Sequence, residues 1–215
     1  MASAAFALVL WLVKILELVL GFDVLRFGVY PRRLDGLAGI LTSAFVHASF
    51  THLASNTFAI VTLGTTLLYG YPKSARIVIP VLLVASGLGV WLFGRDSYHI
   101  GASGLTFGVM FFVFTIGVLR WDRQAIGLSL AVFFLYGGML WGLIPRDGQI
   151  SYESHLSGAA SGLILAFLLR RVDPPPPRRR YSWEDEAGET IEPAPDGHSS
   201  GQASNETALP QRPSV

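Results

Sequence analysis

Apolar residues in this chain gather into six runs, at approximately residues 4–21, 51–69, 75–93, 103–119, 125–143 and 153–169. A helix that crosses a bilayer needs roughly 20 mostly apolar residues, within a range of about 17–25. The pattern therefore predicts an all-α membrane protein with six transmembrane helices. The first run is the weakest, because Lys14 and Glu17 interrupt it. Charges at that spacing can pair on one helix face, and that face is expected to turn towards the bundle rather than the lipid. A long segment, residues 22–50, separates the first two runs and is rich in Gly, Arg, Pro and aromatics. Such a connection is usually functional or carries short helices of its own. The other loops are short, and no internal repeat is evident.

Composition agrees with this pattern. Of the 215 residues 51% are hydrophobic and only 14% charged, against about 25% charged in soluble domains. There is no cysteine, which excludes disulfides, thiolate metal sites and a cysteine nucleophile. The N-terminal run lacks a basic leader and a cleavage-like end, so it reads as a retained helix and not a signal peptide. After Arg171 the chain turns to "VDPPPPRRRYSWEDEAGET" and a Ser-, Gly- and Pro-rich end. Such a segment has too little apolar surface to offset the entropy of ordering, and disorder is expected. PPPP favours polyproline II, and RRR suits lipid headgroups. Two parts are expected: a helical core over 1–171 and a disordered tail over 172–215.

Net charge is +1, but its placement is uneven. Lys73, Arg76, Arg120, Arg123, Arg170, Arg171, Arg178, Arg179 and Arg180 flank one set of run ends; Arg26, Arg32, Arg33, Arg95 and Arg146 flank the other. The larger basic group marks the inner side. Both termini are then expected inside, in the cytoplasm if the bilayer is a plasma membrane, with the long first loop outside.

Three polar clusters now fall at one depth. "HASFTHLASN" precedes and opens the second run, "HIGASGLTFG" the fourth and "SYESHLSGAASG" the sixth. Polar groups inside membrane segments are costly and face the bundle interior or water. A serine hydroxyl becomes a nucleophile when a base takes its proton. His155, with an ordinary pKa near 6.5, can do so for Ser103 if the two come within roughly 2.6–3.2 Å. That requires the fourth and sixth helices to pack closely. Gly104 and Gly108 form one G-x-x-x-G and Gly158 and Gly162 another, and small residues four apart permit such approach. His155 lies on the same face as its glycine pair.

His52 and Asn56 share a face of the second helix. A histidine N–H and an asparagine amide can both donate, as a developing oxyanion requires, and the Ser103 backbone N–H offers a third donor. His47 is rotated off that face and is expected to tie the first loop in place. A metal site built on His47, His52 and His155 lacks a matching carboxylate, and none is expected. No acid is placed to orient His155, since Glu153 falls nearly on the opposite face and Asp96 in a loop. The expectation is therefore a Ser–His dyad. Ser154 adjoins the base and points elsewhere. A transporter would carry its polar residues at mid-membrane, where this chain has mostly Val, Leu, Phe and Gly.

Together these motifs resemble the signature of rhomboid intramembrane serine proteases: H-x4-H-x3-N, then G-x-S-G, then a histidine followed by G-x-x-x-G, in the same order and helix number. The resemblance covers about residues 4–171. It implies an enzyme, a serine-type endopeptidase that cuts transmembrane helices of other proteins near their outer ends. Ser103 would be the nucleophile, His155 the base, His52 and Asn56 the oxyanion hole, and His47 structural. Gly101, Gly104, Phe107, Gly108, Gly158 and Gly162 would support the site. The implied partners are transmembrane-helix substrates and the lipid bilayer, with no cofactor and no nucleic acid. Substrate would enter beside the fifth helix, 125–143, with residues 144–152 as a lid. The contrary reading is a non-catalytic rhomboid-like protein that guides membrane helices in trafficking or degradation. Three positions depart from the family pattern. Ala38 and Gly39 stand where many relatives carry Trp-Arg, Leu68 where many carry Glu, and Phe107 where a tyrosine often packs on the histidine.

Overall fold

The computed structural model describes residues 1–145 and 150–174. Their regular structure is helical, apart from one isolated antiparallel bridge between Val29 and His99. The helices are α1 (Ala2–Leu20), a single turn α2 (Gly39–Thr42), α3 (Phe50–Gly70), α4 (Pro72–Phe93), α5 (Ser103–Arg120), α6 (Arg123–Tyr136) and α7 (Tyr152–Leu169). Short 3-10 turns at Val24–Phe27, Leu34–Gly36 and Ser43–Phe45 fill the long first connection, as its length predicts.

Among the described residues, four stretches are long and apolar enough to cross a membrane: Ala2–Leu20, Pro72–Phe93, Ser103–Arg120 and Arg123–Leu143. A fifth is added if Leu34–Phe45 and Phe50–Gly70, which meet at 70°, form one bent span. α3 alone and α7 fall outside this set. Both carry polar residues near their starts, His52 and Asn56 in α3, Glu153, Ser154 and His155 in α7. The chain is thus an integral membrane protein, and α3 and α7 bring His52, Asn56 and His155 to the centre of the fold.

Local chemistry sets the helix ends. Ser49 Oγ accepts the His52 N–H at 3.1 Å and caps α3; Asp122 Oδ1 accepts the Ala125 N–H at 2.9 Å and caps α6. Such caps satisfy backbone donors left over at the first turn. α1 stops at Gly21, whose φ of 64° suits glycine.

α5 is the central helix. It packs against α7, α6, α4 and α3, and 61% of its membrane window is buried, against 17% for α1. Its Phe107, Met110, Phe112, Val113 and Ile116 share one apolar core with Leu63 and Leu67 of α3, Leu82 of α4 and Leu165 of α7. The α5–α7 seam is backbone on backbone. A Cβ on Gly158 would strike the Gly104 carbonyl, and one on Gly162 the Gly108 carbonyl, so no larger residue could keep the two helices at this separation.

Lys14 is buried and pairs with Glu17 at 2.8 Å. Its Nζ also donates to the backbone oxygens of His47 and Ala48, at 3.0 and 3.3 Å, so the charged face of α1 looks inward.

The fifth run is not one continuous α-helix. It is α-helical to Tyr136 and continues as a 3-10 stretch over Gly137–Leu143. The glycine pair Gly137–Gly138 begins this change, and glycine supports an α-helix poorly. The expected tail, 172–215, lies outside the described residues beyond Pro174, as do Arg146 and residues 147–149 of the expected lid. Val172 and Asp173 continue the described fold, and Asp173 is buried.

Candidate active site

Ser103 is the first residue of α5, where a helix leaves its N–H groups without intrahelical acceptors. His155 lies in the first turn of α7. The glycine seam brings the two together, with Ser103 Oγ 2.8 Å from His155 Nε2. The other ring nitrogen, Nδ1, is 2.8 Å from the Gly142 carbonyl oxygen. A carbonyl only accepts, so Nδ1 carries the hydrogen and Nε2 presents its lone pair to the serine hydroxyl. A backbone carbonyl, and not a carboxylate, thus sets the orientation of the ring. Phe107 lies flat against the imidazole, with ring centres 4.0 Å apart and planes 8° from parallel.

Across from this pair stand His52 and Asn56 of α3. Gly101, two residues before Ser103, has φ 105°, a conformation that excludes nearly every side chain but glycine's. A Cβ there would lie 2.8 Å from His52 Cε1, 2.9 Å from its Nε2 and 3.7 Å from Asn56 Nδ2. Both side chains thus face the backbone that leads into Ser103. The Gly101 N–H is pinned to the Ser43 carbonyl at 2.8 Å. Asn56 Nδ2 donates one hydrogen to the His52 carbonyl at 3.2 Å, and its second remains for another acceptor.

These four residues line one open cleft of about 1060 Å³. Ala59, Phe107, Tyr136 and Met139 give it apolar walls, while Arg95, His99 and Ser151 line its polar part. A hydrogen bond between Tyr136 and Thr62 joins α6 to α3 along the cleft.

His47, Glu153 and Ser154 stay out of the cleft. His47 is 1% exposed and packs edge-on behind His52, ring centres 5.0 Å apart. What ties the loop is its carbonyl, through Lys14, rather than its ring. The Ser154 hydroxyl faces Gly104 and the α5 seam. Glu153 points away from His155 and pairs with Arg95 at 2.9 Å. Among the described residues no cluster of three or more His, Cys, Asp or Glu is placed to hold a metal ion. Gly142, Arg95, His99 and Ser151 were missed by sequence reasoning. Gly142 acts through a carbonyl that every residue possesses, and the other three belong to no recognisable spacing.

Residues 35–172 match the Rhomboid domain family. The chain belongs to the rhomboid family. An uncharacterized protein of Mycobacterium tuberculosis (strain ATCC 25618 / H37Rv) is 34% identical over 173 residues, 76% of this chain and 72% of that protein. One of Mycobacterium leprae (strain TN) is 30% identical over 195 residues, covering 85% and 74%. RHOMBOID-like protein 2 of Arabidopsis thaliana is 26% identical over 152 residues, covering 67% and 44%.

The structure accounts for two of this rhomboid's departures from the pattern. At Gly39 a Cβ would run into the Gly28 carbonyl and the Val29 nitrogen. The first connection here is closed by backbone packing, and an arginine has no room. Leu68 is partly buried against the main apolar core, where a glutamate would leave a charge without water.

Proposed function

We propose that this rhomboid is a serine-type intramembrane endopeptidase that hydrolyses peptide bonds in or near transmembrane helices of other membrane proteins. The observation that carries the reading is the 2.8 Å contact between Ser103 Oγ and His155 Nε2 in an open cleft, with the imidazole tautomer already suited to accept the serine proton. Ser103 Oγ attacks the scissile carbonyl carbon while its proton passes to His155 Nε2. The oxyanion is held by His52, Asn56 Nδ2 and the Ser103 N–H. On collapse the imidazolium returns its proton to the leaving amine, and an acyl-enzyme remains on Ser103. Water, with His155 again as base, releases the second product and restores the hydroxyl.

The substrate would be a membrane helix that reaches the cleft beside α6 and the 3-10 stretch after it. α1 and α3 to α7 would form six spans, with both termini cytoplasmic in a plasma membrane. The basic residues near the ends away from the cleft (Lys73, Arg76, Arg120, Arg123, Arg170 and Arg171) support that orientation.

The test is reconstitution in vesicles with a single-pass model substrate. Cleavage is expected with the natural chain and is lost in Ser103→Ala and in His155→Ala; cleavage that survives either change removes the mechanism. A fluorophosphonate probe separates the enzyme from a helix-binding protein without activity, which would leave Ser103 unlabelled.

A further inference from the structure

The chain leading into Ser103 and the chain leading into His155 are joined by a second set of polar contacts that the proposed chemistry does not use. Glu153 is buried, and Arg95 Nη1 donates to its Oε1 and Oε2 at 3.1 and 2.9 Å. Oε1 also accepts the Arg95 backbone N–H at 3.2 Å. Arg95 Nη2 donates to the Ile150 carbonyl at 2.9 Å, on the chain running into α7.

His99 lies beside this pair, 3% exposed. Its Nε2 is 3.0 Å from the Arg95 carbonyl oxygen, which can only accept, so Nε2 carries the hydrogen. Nδ1 must then accept, and at 2.6 Å it receives the Ser151 hydroxyl. Ser151 Oγ in turn accepts the Ser154 N–H at 3.4 Å, capping α7. The hydrogen bonds therefore run in one direction, from Ser154 through Ser151 and His99 to the Arg95 carbonyl. The groups facing the His99 ring are Arg95, Ser97 Oγ at 3.4 Å, Ser151 and Glu153 Oε2 at 3.9 Å. Burial holds the imidazole below its ordinary pKa, which keeps it in the neutral form this arrangement needs. The His99 backbone is fixed from its other side by paired 2.9 Å hydrogen bonds with Val29.

Arg95 and His99 stand eight and four residues before Ser103; Ser151 and Glu153 stand four and two before His155. We infer that Arg95, His99, Ser151 and Glu153 are positioning residues: they form a clasp that sets the first turn of α7 against the chain before α5, and so sets the reach of His155 Nε2 to Ser103 Oγ. An ion pair whose carboxylate is buried adds little net stability but can fix a unique register, and register is what a base at hydrogen-bond distance requires. This inference rests on the protease reading above.

The test compares the full natural chain with Ser151→Ala, Ser151→Thr and Glu153→Gln in vesicles with the model substrate. Ser151→Ala and Glu153→Gln are expected to lower kcat about ten-fold or more with KM within about two-fold, because misplacement of the base is felt in the transition state. Ser151→Thr restores the hydroxyl and is expected to recover kcat to within about three-fold of the natural chain. Hydrogen exchange should quicken over residues 151–157 in the two impaired variants and stay unchanged over 158–169. Unaltered kcat in both impaired variants overturns the clasp, as does an effect confined to KM or a loss that threonine does not repair. Should Glu153→Gln fail to fold, the Ser151 pair decides alone. If the natural chain neither labels at Ser103 nor cuts substrate, the protease reading falls instead. The clasp is then judged on exchange, and undisturbed protection at 151–157 in Ser151→Ala overturns it.

Discussion

His155 has a hydrogen-bond partner on each ring nitrogen, and the two partners are of different kinds. The hydroxyl at Nε2 was foreseeable from sequence, because serine, histidine and two glycine pairs occur at matching depth on two runs. The carbonyl at Nδ1 was not, because Gly142 reaches the ring only through the 3-10 path that the chain takes after Tyr136. Gly142 also sits where a side chain would intrude: a Cβ would lie 3.0 Å from Phe107 Cζ and 3.1 Å from His155 Nδ1. Gly142→Ala is expected to displace the imidazole and lower turnover about 10²-fold, with little effect on thermal unfolding, since a small misplacement can cost that much. Steady-state cleavage beside a melting curve checks it. Asn56→Ala removes one donor from the proposed oxyanion hole and should weaken turnover by about 10²–10³ without abolishing it. Unchanged kcat in that variant would remove Asn56 from the mechanism.

Helices α5 and α7 were expected to pack through glycines, and at this scale the expectation and the structure agree in detail. Gly158 meets the Gly104 backbone and Gly162 meets the Gly108 backbone. Gly158→Ala and Gly162→Ala are therefore expected to destabilise by about 1–3 kcal/mol, the usual cost of overpacking, and to reduce cleavage by parting Ser103 from His155. Gly127 of α6 provides the contrast. A Cβ there meets nothing within 4 Å, and Gly127→Ala should be neutral or stabilise by up to about 1 kcal/mol through helix propensity. Thermal unfolding in detergent, with all three variants side by side, tests both claims. The α-helix assigned to the whole fifth run was legible only in part. Hydrophobicity gave its length, but apolar pattern does not distinguish α-helix from the 3-10 turns that follow Gly137.

Across the whole molecule, the Asp173 carboxylate ties the start of α4 to the chain that follows α7. Asp173 accepts the N–H groups of Lys73 and Ser74 at 2.9 and 2.8 Å and the Ser74 hydroxyl at 2.6 Å, acting as the cap that α4 lacks in its own sequence. Arg120, at the end of α5, donates to the Asp173 backbone oxygen. Burial acts to raise this carboxyl's pKa, but the hydrogen bonds from Ser74 and Lys73 outweigh it and hold the group below its ordinary 3.8. A depressed carboxyl stabilises the fold above its unfolded pKa, and that contribution fades as pH falls through the lower folded value. Asp173→Asn is expected to lower stability by about 1 kcal/mol near neutral pH, as loss of a cap does, with the gap to the natural chain narrowing below about pH 3.8. Melting temperatures from pH 7 to pH 3 decide it. The sequence placed Asp173 in the tail, since an aspartate before four prolines has no local partner to reveal its role.

By itself the sequence determined the all-helical class, the close α5–α7 seam and the meeting of His52, Asn56, Ser103 and His155 at one cleft. These follow from hydrophobic period, chain length and the small volume of glycine, which are local properties. Only the tertiary structure decided which carbonyl orients His155, that Glu153 turns to Arg95, and that Asp173 caps a distant helix. Those contacts join residues 13, 58 and about 100 positions apart. Hydrogen-bond donors and acceptors are too common along any chain for spacing alone to pair them at such range.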